Sequence, residues 1–292
     1  MARDFINGLA LGITQIIPGI SGATIAIMMG FYFEFIETIN HFTKDLRKNI
    51  MFVFPVMTGI IAGLILFSSI VNFLLINYSF PTMLFIIGLI AGIIPHFYSQ
   101  VKKGSQKIKA QDVILTSLPF IVLLTMSFLK GASVTNPTVL IDNINLPFII
   151  FLFFAGVLAS AALIVPGFSG SFVLLLLGVY HLVIYSISSI RHLLLDFSNI
   201  TLMLNIIKVL LPMGLGIIIG ILSMSRLIEE LLKKHSKLLY TIILGLLLGS
   251  IFTLFREPIV YQSGVSAVIV IIGIVTFSAG AVIAFVLGKK HI

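Results

Sequence analysis

The chain has 292 residues, 59% of them hydrophobic and only 10% charged, with a mean hydropathy of +1.20. Soluble domains carry about 25% charged residues, so this composition excludes a soluble enzyme, a nucleic-acid-binding module and a disordered chain, and leaves a polytopic membrane protein. The net charge of +8 then reads first as loop asymmetry, and the absence of Cys removes disulfides, thiolate metal sites and Cys nucleophiles together.

From Met1-Ala2-Arg3-Asp4 onward the first apolar stretch runs without a small-residue cleavage pattern, so no cleavable signal is expected. Residues 4–40 are long enough for two crossings, but Pro18-Gly19-Ile20-Ser21-Gly22 interrupts them. Spans of about 50–76 and 81–97 follow, divided by the turn signal Asn77-Tyr78-Ser79-Phe80-Pro81. A further span lies near 113–129, and residues 131–145 read as a linker. The stretch 146–190 is again hairpin-sized and again broken, at Pro166-Gly167-Phe168-Ser169-Gly170. Single spans near 207–225, 238–255 and 265–288 complete the chain. Pro removes a backbone donor and Gly weakens helix, so both breaks should be unwound. Unwound backbone at membrane depth persists only where protein buries it or where it lines a polar cavity. Both segments are therefore expected to be helix–break–helix hairpins.

The two breaks belong to an internal repeat. Residues 8–36 match 156–184 at nine identical positions: Gly8, Ile16, Pro18, Gly19, Ser21, Gly22, Gly30, Tyr32 and Ile36. At an offset of 157, Pro55, Gly59 and Gly63 match Pro212, Gly216 and Gly220, and Gly88 and Gly92 match Gly245 and Gly249. The expected halves are residues 1–130 and 146–292, with 131–145 as an external linker. Counting crossings puts 14 of the 18 basic residues on one side, which the positive-inside rule makes cytoplasmic, with both termini. Three single spans per half make the repeats inverted. Inverted repeats with broken helices are the architecture of secondary transporters, with the substrate site near the midplane. Close helix packing accounts for the Gly-x-x-x-Gly pairs.

Each break is followed by a helix start, at about Ser21 and Ser169, where unsatisfied N–H groups favour an anion such as phosphate. The candidate phosphate-binding residues are Gly19, Ser21, Gly22 and Thr24 in the first half, and Gly167, Ser169, Gly170 and Ser171 in the second. A serine at such a break can also simply cap its own helix. Arg191 and Arg256 are the external basic candidates for assisting an anion, with snorkelling at the interface as their plain alternative. No Asp/Glu pair sits mid-span to relay protons or sodium. The His residues lack metal-ligand spacing.

The blocks from Asn7-Gly8 to Tyr32 and from Gly156 to Tyr180 resemble a bacterial membrane family long labelled domain of unknown function 368, whose members are described as polyprenyl-phosphate transporters, PopT. The resemblance covers nearly the whole chain. It is most specific at Pro18-Gly19-Ile20-Ser21-Gly22-Ala23-Thr24, at Pro166-Gly167-Phe168-Ser169-Gly170-Ser171-Phe172, and in the spacing to Gly30-Phe31-Tyr32 and Gly178-Val179-Tyr180. It implies an all-helical transporter in the bacterial plasma membrane, with undecaprenyl phosphate as substrate, that returns this lipid carrier of cell-wall precursors from the outer to the inner leaflet. It implies no catalytic residues, cofactor, metal or nucleic-acid partner. Family members commonly have an acidic residue after the Tyr and Asp or Asn shortly before the first Pro-Gly; here the positions hold Phe33, His181 and Thr14-Gln15, so no carboxylate stands there for coupling.

Two alternatives come from other classes. A small-anion carrier or channel could use the same helix starts, but few polar residues line the spans. A polyprenyl-pyrophosphate phosphatase would carry Pro-Gly-x-Ser-Arg-Ser, whereas Gly170 replaces the Arg and no buried Glu pair or His is placed to activate Ser169.

Overall fold

The computed structural model describes residues 1–16, 21–102, 110–129, 144–167, 169–195, 200–261 and 266–291. In the first half these form α1 (Ala2–Ile16), α2 (Gly22–Met28), α3 (Tyr32–Asn40), α4 (Leu46–Asn77), α5 (Ser79–Lys102) and α6 (Ala110–Leu129). In the second half they form α7 (Leu146–Ile164), α8 (Gly170–Leu176), α9 (Tyr180–Leu195), α10 (Ile200–Lys234), α11 (Ser236–Phe255) and α12 (Ala267–His291). A 3-10 turn, Pro258–Tyr261, follows α11. The same order of elements thus occurs twice. No strand occurs among the described residues.

Among the described residues, seven helices are long and apolar enough to cross a bilayer: α4, α5, α6, α7, α10, α11 and α12. The protein is a multi-pass helical membrane protein. The span expected near 207–225 is the centre of a 35-residue helix. That expectation stopped at Lys208 and Arg226, but long basic side chains lie along a helix and reach water without ending it. Likewise α5 continues past 97 to Lys102, with Pro95 inside it.

Local chemistry sets several helix starts. The Asp45 carboxylate accepts the Lys48 N–H at 3.2 Å to open α4. The Asn145 side chain accepts the Phe148 N–H at 3.0 Å to open α7, with a proline in the first helical turn. Each satisfies a donor that the helix itself cannot.

The hairpins are more divided than a single break predicts. α1, at 15 residues, reaches about 22 Å, short of the ~30 Å hydrocarbon core. The second arm then bends again: α2 and α3 meet at 116°. The hinge is Gly30 at φ +76°, and the second half repeats it at Gly178, φ +73°. A left-handed glycine ending one helix and admitting the next is the usual C-terminal stop.

Packing is pairwise and repeats between the halves. α1 lies on α4 as α7 lies on α10. Gly8 meets Val56 and Gly59 meets Phe5; at the matching positions Gly156 meets Met213 and Gly216 meets Phe153, each so closely that a Cβ would overlap a backbone carbonyl. The other pairs cross between halves. α5 packs on α12 through Gly88 and Gly92, and α11 packs on α6 through Gly245 and Gly249. α5 and α11 touch each other at the centre. The paired glycines therefore serve helix packing.

One difference separates the two broken arms. α8 and α9 pack within their own half, on α7 and α10. α2 and α3 reach across, onto α7, α10 and α12.

Candidate functional site

The two breaks meet. A cavity of about 280 Å³ is lined by Ser21 and Gly22 from the first and by Ser169, Gly170 and Ser171 from the second. Thr14, Ser160 and Tyr180 add polar atoms to its wall. The remainder is aliphatic: Leu163, Val183, Ile184, Ile187, Met213, Ile217 and Ile221 among others. The cavity wall thus combines hydroxyls with hydrocarbon. No Asp, Glu, Lys, Arg or His lines it among the described residues.

Ser21 settles one question about its break. It stands at the N-cap position of α2 in extended conformation, φ −88° and ψ 120°, yet its side chain does not cap the helix. Its hydroxyl donates instead to the Val165 carbonyl, in the other break, at 3.3 Å. The Ser169 and Ser171 hydroxyls lie 2.9 Å apart and share a hydrogen bond. Such a pair can turn both donors toward an anion, because hydroxyl protons rotate. Both restarting helices, α2 and α8, have only seven residues. Hydroxyls and local N–H groups, rather than a long helix dipole, are what this site presents.

Two expected ligands have another task. Thr24 is buried, and its hydroxyl accepts the Gly167 N–H at 2.8 Å. Gly167 has φ +81°, with Leu246 and Leu247 packed where a Cβ would go. Neither residue lines the cavity; together they fasten one break to the other. Nearby, the Tyr32 hydroxyl, fully buried, donates to the Ile164 carbonyl at 3.0 Å. Tyr32→Phe leaves that carbonyl without its donor, at a cost of about 0.5–1.5 kcal/mol. A lowered denaturation temperature is expected, and unchanged stability argues against the contact.

Arg256 does not line the cavity. The Arg256 guanidinium stands 3.8 Å over the Phe128 ring, bracing the end of α11 against α6. Arg191 is on α9, and its side chain lies outside the described residues, as does Gly19. Thr14, Ser160, Tyr180 and the aliphatic wall did not emerge from the sequence as site residues. Tyr180 carried a signal as the repeat partner of Tyr32, and Thr14 as part of the Thr14-Gln15 position shortly before the first Pro-Gly.

An all-helical membrane protein with two opposed helix breaks around an uncharged polar pocket is the class that fold and site define. A family model for undecaprenyl phosphate translocase-like proteins matches residues 11–268, and the chain belongs to that family. It is 30% identical over 290 residues to a polyprenyl-phosphate transporter of Staphylococcus aureus, covering 98% of this chain and 95% of the relative. It is 28% identical over 261 residues to a polyprenyl-phosphate transporter of Vibrio cholerae, covering 85% and 75%. No solved structure matches the chain significantly.

Proposed function

We propose that the chain carries a polyprenyl phosphate, with undecaprenyl phosphate as the leading substrate, between the leaflets of the bacterial plasma membrane. The observation that carries this reading is the mixed lining of one cavity: hydroxyls from both breaks together with aliphatic side chains. A phosphate head group with a hydrocarbon tail has the same two chemistries. Taking that head group through lipid unaided costs several kcal/mol or more. Ser21, Ser169 and Ser171, with backbone N–H groups at Gly22 and Gly170, replace its water. The prenyl chain leaves along the aliphatic wall and stays in lipid. Among the described residues, no Asp, Glu or His lines the cavity beside Ser169 and Ser171.

In this reading the halves 1–130 and 146–292 are inverted repeats joined by an external linker, 131–145, with both termini in the cytoplasm. The short α1 and the bent α2–α3 pair support a re-entrant first hairpin. Movement from the outer to the inner leaflet returns the carrier for reuse in cell-wall assembly.

Purified protein in liposomes should speed leaflet exchange of a polyprenyl phosphate. A hydrogen bond to a charged group contributes about 1.5–3 kcal/mol, so the Ser21→Ala/Ser169→Ala double variant should slow exchange by about a hundredfold or more. Wild-type protein without exchange activity ends the transport reading. A double variant at the wild-type rate ends the site assignment alone.

A further inference from the structure

A second cavity, of about 570 Å³, lies where α3, the turn into α4 and the last turns of α10 meet. It is lined by charges of both signs, including Glu34, Glu37, Lys44, Lys48 and Lys233. The phosphate site shares no residue with it. Along its edge α3 is fastened to α10 by one side chain. The Asn40 amide donates to the Ser225 carbonyl at 3.0 Å and to the Glu229 carboxylate at 2.5 Å, and its oxygen accepts the Ser225 hydroxyl at 2.6 Å. Glu229 is held in turn by Lys233, one turn further along α10. A flipped amide would set its oxygen against a carbonyl and a carboxylate, so these partners fix its orientation.

We infer that Asn40, Ser225 and Glu229 form a gate, closed in this structure, on the face that carries the 41–49 turn. The inference rests on the transport reading above. Three observations lead to it. First, α3 belongs to the arm that crosses between halves, and the cluster ties that arm's far end to the opposite half, while Ser21 and Tyr32 tie its near end. Second, the cluster borders a charged cavity, where water replaces its hydrogen bonds as they break; opening there costs less than parting a dry interface. Ile36 of α3 lines this cavity, whereas Ile228 of α10, buried in the same apolar cluster, does not; that cluster is a seal that excludes water while the gate is shut. Third, the repeat offsets map Asn40 to Ser188, Ser225 to Ser68 and Glu229 to Asn72. Polar residue types thus recur in the sequence at the matching positions, which fall within α9 and α4. The arm opens by swinging at Gly30, whose left-handed backbone already turns α2 from α3 by 116°.

The chain has no Cys, so a single introduced thiol reports one position. Full-length protein carrying Ile228→Cys, buried at 3% exposure and outside the cavity lining, is labelled with a membrane-impermeant maleimide. Adding Asn40→Ala should raise the labelling rate about tenfold. Ile87→Cys, on α5 at 0% exposure, serves as the control and should not change. Equal Ile228→Cys labelling with and without Asn40→Ala overturns the gate. A parallel rise at Ile87→Cys overturns it too, because the cluster is then a general structural weld. Separately, Asn40→Cys/Ser225→Cys protein, once oxidised to the disulfide, should stop leaflet exchange, and reductant should restore it. Exchange by fully cross-linked protein at the reduced rate overturns the gate. The labelling needs no lipid substrate, so failure of the gate and failure of the transport reading are read separately.

Discussion

Gly216→Leu is expected to leave no folded protein to purify, whereas Gly214→Ala, two residues earlier on the same helix, is expected to raise stability. Gly216 lies against the Phe153 carbonyl and the Val157 N–H of α7, so any side chain meets backbone. Overpacking of yielding side chains costs about 1–3 kcal/mol. Here the neighbour is the main chain of a whole helix, and the helix pair must separate. That pair forms part of the lining of the serine-bearing cavity, through Ser160 and Leu163 of α7 and Met213, Ile217 and Ile221 of α10. At Gly214 an added Cβ meets nothing within 4 Å. There alanine brings only its better helix propensity, about 0.5–1 kcal/mol. Size-exclusion profiles of detergent extracts after graded heating measure both. A folded Gly216→Leu protein refutes the packing described for α7 and α10.

Thr24→Val is the second large effect. The two side chains have nearly the same shape, so the variant removes a hydroxyl and little else. It leaves the buried Gly167 N–H without an acceptor, and Gly167 cannot easily turn away, since its φ of +81° is set by the break. An unsatisfied buried donor costs about 1–3 kcal/mol, or about ten- to a hundredfold in the population with both breaks joined. Leaflet exchange should fall by that factor, and Thr24→Ser should recover most of it. Thr24→Val at the wild-type rate would show that the breaks stay together without this bond.

The sequence showed the breaks because Pro-Gly is costly in a helix and its recurrence 148 residues later is hard to mistake. It showed the glycine pairs for a similar reason: backbone contact admits only Gly. It did not show the role of Thr24. A threonine beside a break can face a ligand or a carbonyl, and here its partner stands 143 residues away. Position along the chain carries no record of that choice. The hinges at Gly30 and Gly178 were visible as matched residues but not as bends, because a left-handed glycine is a matter of backbone angle. The aliphatic wall was hidden by its own composition, since Val183 or Ile217 reads like any lipid-facing residue. Asn40 and Glu229 come from different halves, and neither is unusual alone.

The crossed pairing of α5 with α12 and of α6 with α11 bears on how the protein is made. A chain emerging from the ribosome delivers α5 and α6 to the membrane long before their partners exist. Until then, Gly88 and Gly92 on α5 offer lipid a shallow groove that only α12 fills. The first half therefore cannot finish packing by itself, and the last helix synthesised completes the centre of the molecule. Assembly is post-insertional, and a chain cut short before Ala267 leaves an open seam in its oldest part.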